Sequence, residues 1–223
     1  MEIKDNLQKV LDTLKPGVTL VAVSKTKPEE AIVEAYEAGH RDFGENRVQE
    51  LVGKIDHLPQ DIRWHFIGNL QRNKVKYLDE RIYLIHSLDR ASLAKEINKN
   101  AKKKGFVQKV LLEVNIGGEE SKGGTPPKDL PKLIEAVQKL PNLHVKGLMA
   151  MIPETSDLEE QKKYFSEMAD IFKKQKEKTG PQYEMEILSM GMSGDYKAAM
   201  DCGSTMVRVG SAIFGARDYG ENK

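Results

Sequence analysis

Cysteine is nearly absent: Cys202 is the only one in 223 residues. No internal disulfide can form, which suits a reducing compartment. The five histidines show no spacing with cysteine or carboxylates of the kind zinc sites use, so no metal is expected. Neither sign of charge prevails. Lys and Arg total 35, Asp and Glu total 34, and the net charge of +1 draws the chain neither to nucleic acid nor to a membrane surface. The basic runs Lys102 to Lys104 and Lys173 to Lys174 lack interleaved aromatics and read as solvated helix faces. Apolar runs are short. None reaches the ~18 residues of a membrane span, and the N-terminus carries a charged helical pattern instead of a signal peptide. The cytoplasm is the expected location, with neither nucleic acid nor membrane as partner.

What is present is an alternation. Hydrophobic content of 39% and charged content of 31% describe a soluble globular protein. Short apolar, β-branched runs at 20–25, 41–46, 63–68, 81–87, 109–116, 144–151, 184–190 and 205–214 read as strands. Helical spacing fills the gaps, most clearly over 90–104, where Gly105 supplies the stop, and over 158–178. Shorter helices are expected at 73–78, 128–140 and 195–201. Eight strands alternating with helices and no linker predict an α/β fold: a single (β/α)8 TIM barrel over 1–223. The stretch after Gly215 is too short for an eighth helix. An extra N-terminal helix, with Ile3, Leu7, Val10, Leu11 and Leu14 on one face, is expected to take that place in the outer ring. A doubly wound open sheet is the competing architecture, but a dinucleotide fold would want a Gly-rich turn where Ser24-Lys25-Thr26-Lys27-Pro28 stands.

Chemistry in such barrels sits at the C-terminal ends of the strands. Lys25 lies there, at the end of the first strand. Desolvation lowers an amine's pKa, and a lysine so placed can form a Schiff base with a carbonyl. A rim lysine held in a salt bridge would have the same sequence. Phosphate often binds after strands seven and eight. Strand seven ends in Ser189-Met-Gly191-Met-Ser193-Gly194-Asp195, which offers a hydroxyl and backbone N–H groups, or equally an ordinary helix cap. Strand eight brings Arg208 and, two residues on, Gly210, then Ser211. Lysine, phosphate cup and inward arginine together make a pyridoxal 5′-phosphate site. Arginine accepts no proton, so it would leave the ring nitrogen unprotonated and the ring a weak electron sink. The longest loop, 117–127, follows a strand and would lie on the same face, as a lid or as inert surface.

Five motifs carry a resemblance over nearly the whole chain. They are Val21-Ala-Val-Ser-Lys25-Thr-Lys-Pro28, Phe43-Gly-Glu-Asn46-Arg-Val-Gln-Glu50, Trp64-His65-Phe-Ile-Gly68-Asn-Leu-Gln71-Arg-Asn-Lys74, Ser189-Met-Gly-Met-Ser193-Gly-Asp195 and Gly203-Ser-Thr-Met-Val-Arg208-Val-Gly210-Ser211-Ala-Ile-Phe-Gly215. Together they resemble the pyridoxal phosphate homeostasis protein family, which is similar to the N-terminal barrel of alanine racemase. The resemblance implies that Lys25 carries the cofactor as a Schiff base, that Ser193, Gly210 and Ser211 contact its phosphate and that Arg208 contacts its ring nitrogen. It also implies that Asn46, His65 and Met149 line the pocket; a turn asparagine, a packed histidine and a core methionine are the plainer readings of those three.

Alanine racemase has a second, β-rich domain that supplies a tyrosine base to its partner's site. This chain offers no room for one, and neither Tyr196 nor Tyr219 is singled out as a substitute. The family is understood as a cofactor carrier with indirect effects on amino-acid metabolism, handing cofactor to apoenzymes, and a monomer is expected. The competing readings are a small pyridoxal phosphate-dependent racemase or lyase, and a Schiff-base aldolase without a cofactor.

Overall fold

The computed structural model describes residues 2–119, 122–178 and 180–216. Eight parallel strands close in sequence order into a barrel. They are β1 (Thr19–Val23), β2 (Asp42–Glu45), β3 (Arg63–Phe66), β4 (Ile82–Leu88), β5 (Gln108–Val114), β6 (Leu143–Ala150), β7 (Tyr183–Ser189) and β8 (Met206–Val209). Closure is made by β1, which pairs Val21 with Arg208 of β8 and Ala22 with Phe43 of β2. Around the barrel run α1 (Glu2–Leu11), α2 (Glu29–Glu37), α3 (Val48–Ile55), α4 (Ala91–Lys104), α5 (Leu130–Val137), α6 (Leu158–Lys176), α7 (Tyr196–Asp201) and α8 (Ser211–Phe214).

The alternation of side chains across each strand divides the core in two. Val21, Leu84, Leu111, Met149 and Met206 point inward and plug the barrel. Ala22, Phe43, Trp64, Ile85, Val110, Leu112, Leu148 and Val207 point outward and meet the helices. Strands buried on both faces must be apolar nearly throughout, which is why they stand out in the sequence. Gly105 ends α4 with φ 81, as a C′ glycine does.

The helix expected at 73–78 is a 3-10 helix, Arg72–Tyr77. One expectation needs correction: residues 205–214 are not one strand. Strand β8 stops at Val209, Gly210 takes φ −120 and ψ −71, and α8 follows. The apolar residues that suggested a longer strand, Ile213 and Phe214, are instead buried under a short helix whose N–H groups bond back to the Gly210 carbonyl. A brief eighth helix therefore exists. As expected, α1 completes the ring beside it, packing on α2 and α8 with Leu7 and Val10 buried. Burial of those two side chains stabilises the arrangement by roughly 1.5–3 kcal/mol each.

Candidate functional site

At the C-terminal mouth of the barrel lies a cavity of about 640 Å³. Lys25, Asn46, Ser193, Arg208, Gly210 and Ser211 all line it, although they come from the ends of four different strands, β1, β2, β7 and β8. Two expected members do not. His65 and Met149 are buried inside the barrel below the cavity, and Met151, two residues on along the same inward face, takes the methionine's place in the lining. Tyr196 is also elsewhere: its hydroxyl meets Thr13 Oγ1 at 2.8 Å under α1. Tyr219 lies outside the described residues.

Lys25 sits two residues past β1, in a turn whose next residue, Thr26, has φ 64. A β-branched residue in the left-handed region is strained, by about 1–3 kcal/mol. Both neighbours of Lys25 are therefore tied down. Thr26 donates its backbone N–H to Glu50 Oε1 at 2.6 Å, and Ser24 Oγ donates to Glu45 Oε1 at 2.7 Å. Lys54 Nζ joins the two carboxylates, at 2.8 Å from Glu45 and 2.7 Å from Glu50, and also reaches the Ser24 carbonyl at 3.0 Å. Ser24, Glu45 and Lys54 are buried between the sheet and α3, while Glu50 is half-buried and Thr26 exposed. This knot aims Lys25 without touching the cavity; Ser24, Thr26, Glu45 and Glu50 lie within the first two motifs, while Lys54, which joins them, lies outside both.

Opposite Lys25 is a cup. The turn 192–195 is held by Asp195 Oδ1, which accepts from the Met192 N–H at 2.6 Å. Ser193 Oγ accepts from the Gly210 N–H at 3.2 Å, joining the ends of β7 and β8. Among the described residues, the N–H groups of Ser193, Gly194, Ser211 and Ala212 find no acceptor in the protein. A Cβ on Gly194 would meet nothing within 4 Å, so that side of the cup is open. Adjacent backbone N–H groups of this kind suit an anion. Asn46 Oδ1 is buried and unpartnered in the cavity wall, an acceptor fitted to a ligand's donor.

Arg208 closes the floor at 4% exposure. Nη1 donates to Ser189 Oγ at 2.5 Å and Nη2 to the Ala150 carbonyl at 3.1 Å, which leaves its other N–H groups for the cavity. Burial pushes the guanidinium down to about 10, with Glu113 and Asp195 opposing, so it is charged at neutral pH. Glu113 was not singled out by motif. It lies inward on β5, two residues after Leu111, and lines the cavity. Burial, reinforced by Asp89 and opposed by Arg208 and Arg90, raises its carboxyl to about 7. The two ends of the loop after β5 are strapped together. Asn115 N–H donates to the Thr125 carbonyl (2.9 Å) and Thr125 N–H to the Glu113 carbonyl (2.8 Å), which brings Gly123 to the cavity rim.

A lysine amine, a hydrogen-bonding cup and an arginine thus converge on one space. The residues present fit a ligand with an aldehyde, an anionic group and a ring acceptor. The family model "Alanine racemase, N-terminal domain" matches residues 1–218. A pyridoxal phosphate homeostasis protein from Aquifex aeolicus is 44% identical, over 97% of this chain and 96% of its own. The solved structure of PipY from Synechococcus elongatus with PLP bound superposes with a TM-score of 0.84 at 36% identity, covering 96% of this chain and 100% of that one. Alanine racemase from Bartonella henselae with covalently bound pyridoxal phosphate shares the fold, at 17% identity and TM-score 0.77, and this chain covers 60% of it.

Proposed function

Because the chain belongs to the alanine racemase N-terminal domain family, and within it to the pyridoxal phosphate homeostasis proteins, we propose that it binds pyridoxal 5′-phosphate in the mouth of the barrel and serves cellular homeostasis of that cofactor. Lys25 holds it covalently, as a Schiff base. The observation that carries this reading is the convergence of Lys25, the 193–194 and 210–211 cup and Arg208 on one cavity. Pyridoxal phosphate supplies an aldehyde that takes up amines and a ring that can draw electrons from them. Ser193 and Ser211 bind the phosphate with hydroxyl and backbone N–H groups, and Gly210, whose own N–H is held by Ser193 Oγ, lets the backbone approach it closely. Arg208 donates to the ring nitrogen and keeps a proton off it. Asn46 borders the ring. The protein acts as a monomeric carrier in the cytoplasm, releasing cofactor to apoenzymes and so influencing amino-acid metabolism indirectly.

One observation favours a second reading, a small racemase or lyase. Glu113 gives the cavity a second proton-carrying group besides Lys25. A panel of amino acids assayed for racemisation and elimination separates the two. Turnover near 1 s⁻¹ or faster would favour the enzyme; none across the panel sinks it.

The carrier reading is tested by the visible spectrum of the purified protein with added cofactor, then borohydride reduction and peptide mapping. A yellow protein whose reduced adduct maps to Lys25 is expected. Lys25→Ala should abolish covalent attachment and leave the fold intact. A protein that takes up no cofactor would overturn the reading.

A further inference from the structure

Beneath the cavity a line of polar side chains crosses the otherwise apolar barrel. Arg208 Nη1 donates to Ser189 Oγ at 2.5 Å. Ser189 Oγ lies 3.0 Å from His86 Nδ1, and His86 Nε2 lies 2.9 Å from His65 Nδ1. His65 Nε2 lies 3.0 Å from Asp42 Oδ1. At the opposite mouth Asp42 accepts again, from Arg63 Nε at 2.8 Å and Nη2 at 2.5 Å. The line thus runs from the wall of the cavity to the other end of the barrel, through β8, β7, β4, β3 and β2.

Its ends fix its direction. A guanidinium only donates and a carboxylate only accepts. Asp42 therefore requires a proton on His65 Nε2. A neutral His65 then has a bare Nδ1, which accepts from His86 Nε2–H. His86 Nδ1 is bare in turn and accepts the Ser189 hydroxyl proton, leaving the Ser189 oxygen to receive Arg208. No other arrangement of protons with both rings neutral satisfies every pair. Neutral rings are what the surroundings demand. Both are fully buried. Burial, then the neighbouring His65 and Arg208, hold His86 well below the usual histidine range; burial also lowers His65, against the pull of Asp42. Burial alone would raise Asp42, but the hydrogen bonds from Arg63 and His65 outweigh it and keep the carboxyl ionised.

We propose that Asp42, His65, His86 and Ser189 are positioning residues, a hydrogen-bond line of single direction that holds the Arg208 guanidinium square to the cavity. The proposal rests on the cavity being the pyridoxal phosphate site. An apolar filling like that of Val21, Leu84 and Leu111 would satisfy packing alone. A desolvated polar line is retained only with every member satisfied, and a satisfied line has one geometry. Arg208 is then gripped from Ser189 on β7 and from Ala150 on β6, with its remaining N–H groups turned to the ligand.

Two measurements test it. Long-range ¹H–¹⁵N correlation of the histidine rings, at neutral pH and without cofactor, should find His65 and His86 both neutral with the proton on Nε2. A proton on Nδ1 of either ring, or a cationic ring, overturns the line. Ser189→Ala breaks it next to Arg208. Ser87→Ala is the matched control, a buried serine whose Oγ has no partner among the described residues. Loss of one buried bond to a charged group should weaken cofactor affinity roughly tenfold and shift the visible band in the first variant only, with the adduct still on Lys25. Equal affinity and spectrum in both variants overturn the positioning role. Failure of the wild type to take up cofactor defeats the reading of the cavity instead, and the ring tautomers then decide on the line separately.

Discussion

Lys25 owes its place to residues that never meet the cavity. The strained backbone of Thr26 persists because Glu50 captures its N–H while Glu45 and Lys54 fix Ser24 on the other side. Glu113 shows the converse, a residue whose chemistry is set by the cavity itself. Its folded-state pKa of about 7 lies above the ordinary carboxylate value. A raised pKa of this kind means stability that is complete below the unfolded pKa, near 4.5, and lost as pH rises through 7. The unfolding free energy of the wild type relative to Glu113→Gln should therefore fall by about 3 kcal/mol between pH 4 and pH 8, scaling at 1.36 kcal/mol per unit. Denaturant melts of both proteins across that range measure it. A pH-independent difference would mean that Glu113 titrates normally.

Among the elements, the strap after β5 depends on one glycine. Gly124 has φ 109, and a Cβ there would lie 2.6 Å from the Asn115 backbone nitrogen. Gly124→Ala should release the bonds joining Thr125 to Asn115 and Glu113, at a cost of about 1–3 kcal/mol. Limited proteolysis should then cut within 117–125 well before the rest of the chain; cleavage at the wild-type rate would show that the strap survives. That strap was not legible in a polar, glycine-rich stretch, because its partners are backbone atoms. The strands were legible for the opposite reason. Burial on both faces leaves a continuous apolar run, and Lys25 interrupts one where a barrel puts its chemistry. The same rule misread 205–214, since Ile213 and Phe214 are apolar for the sake of α1 and not of the sheet. His65 was legible as important but misplaced. Its motif marks the line behind the cavity, and only the closed barrel reveals that. His86 and Ser189 are 103 residues apart and meet only across the interior, so no local pattern relates them.

For the molecule as a whole, closure matters more than any single contact. A sheet with no edge strand gives a second chain no unpaired row to extend. It also means that the order of strands is a circle, broken at β8 and β1 only by where the polypeptide happens to be read. Asn6 Nδ2 reaches the Ile213 carbonyl at 3.4 Å across 207 residues of sequence, so the two ends of the described fold are neighbours. A circular permutant, with a short linker joining those ends and new termini at the exposed Gly105, should therefore rebuild the same barrel. Far-ultraviolet circular dichroism and the melting transition would measure it, and a permutant without a cooperative melt would refute it. If it folds, beginning and end are labels on a ring, and Lys25 belongs to no particular first strand.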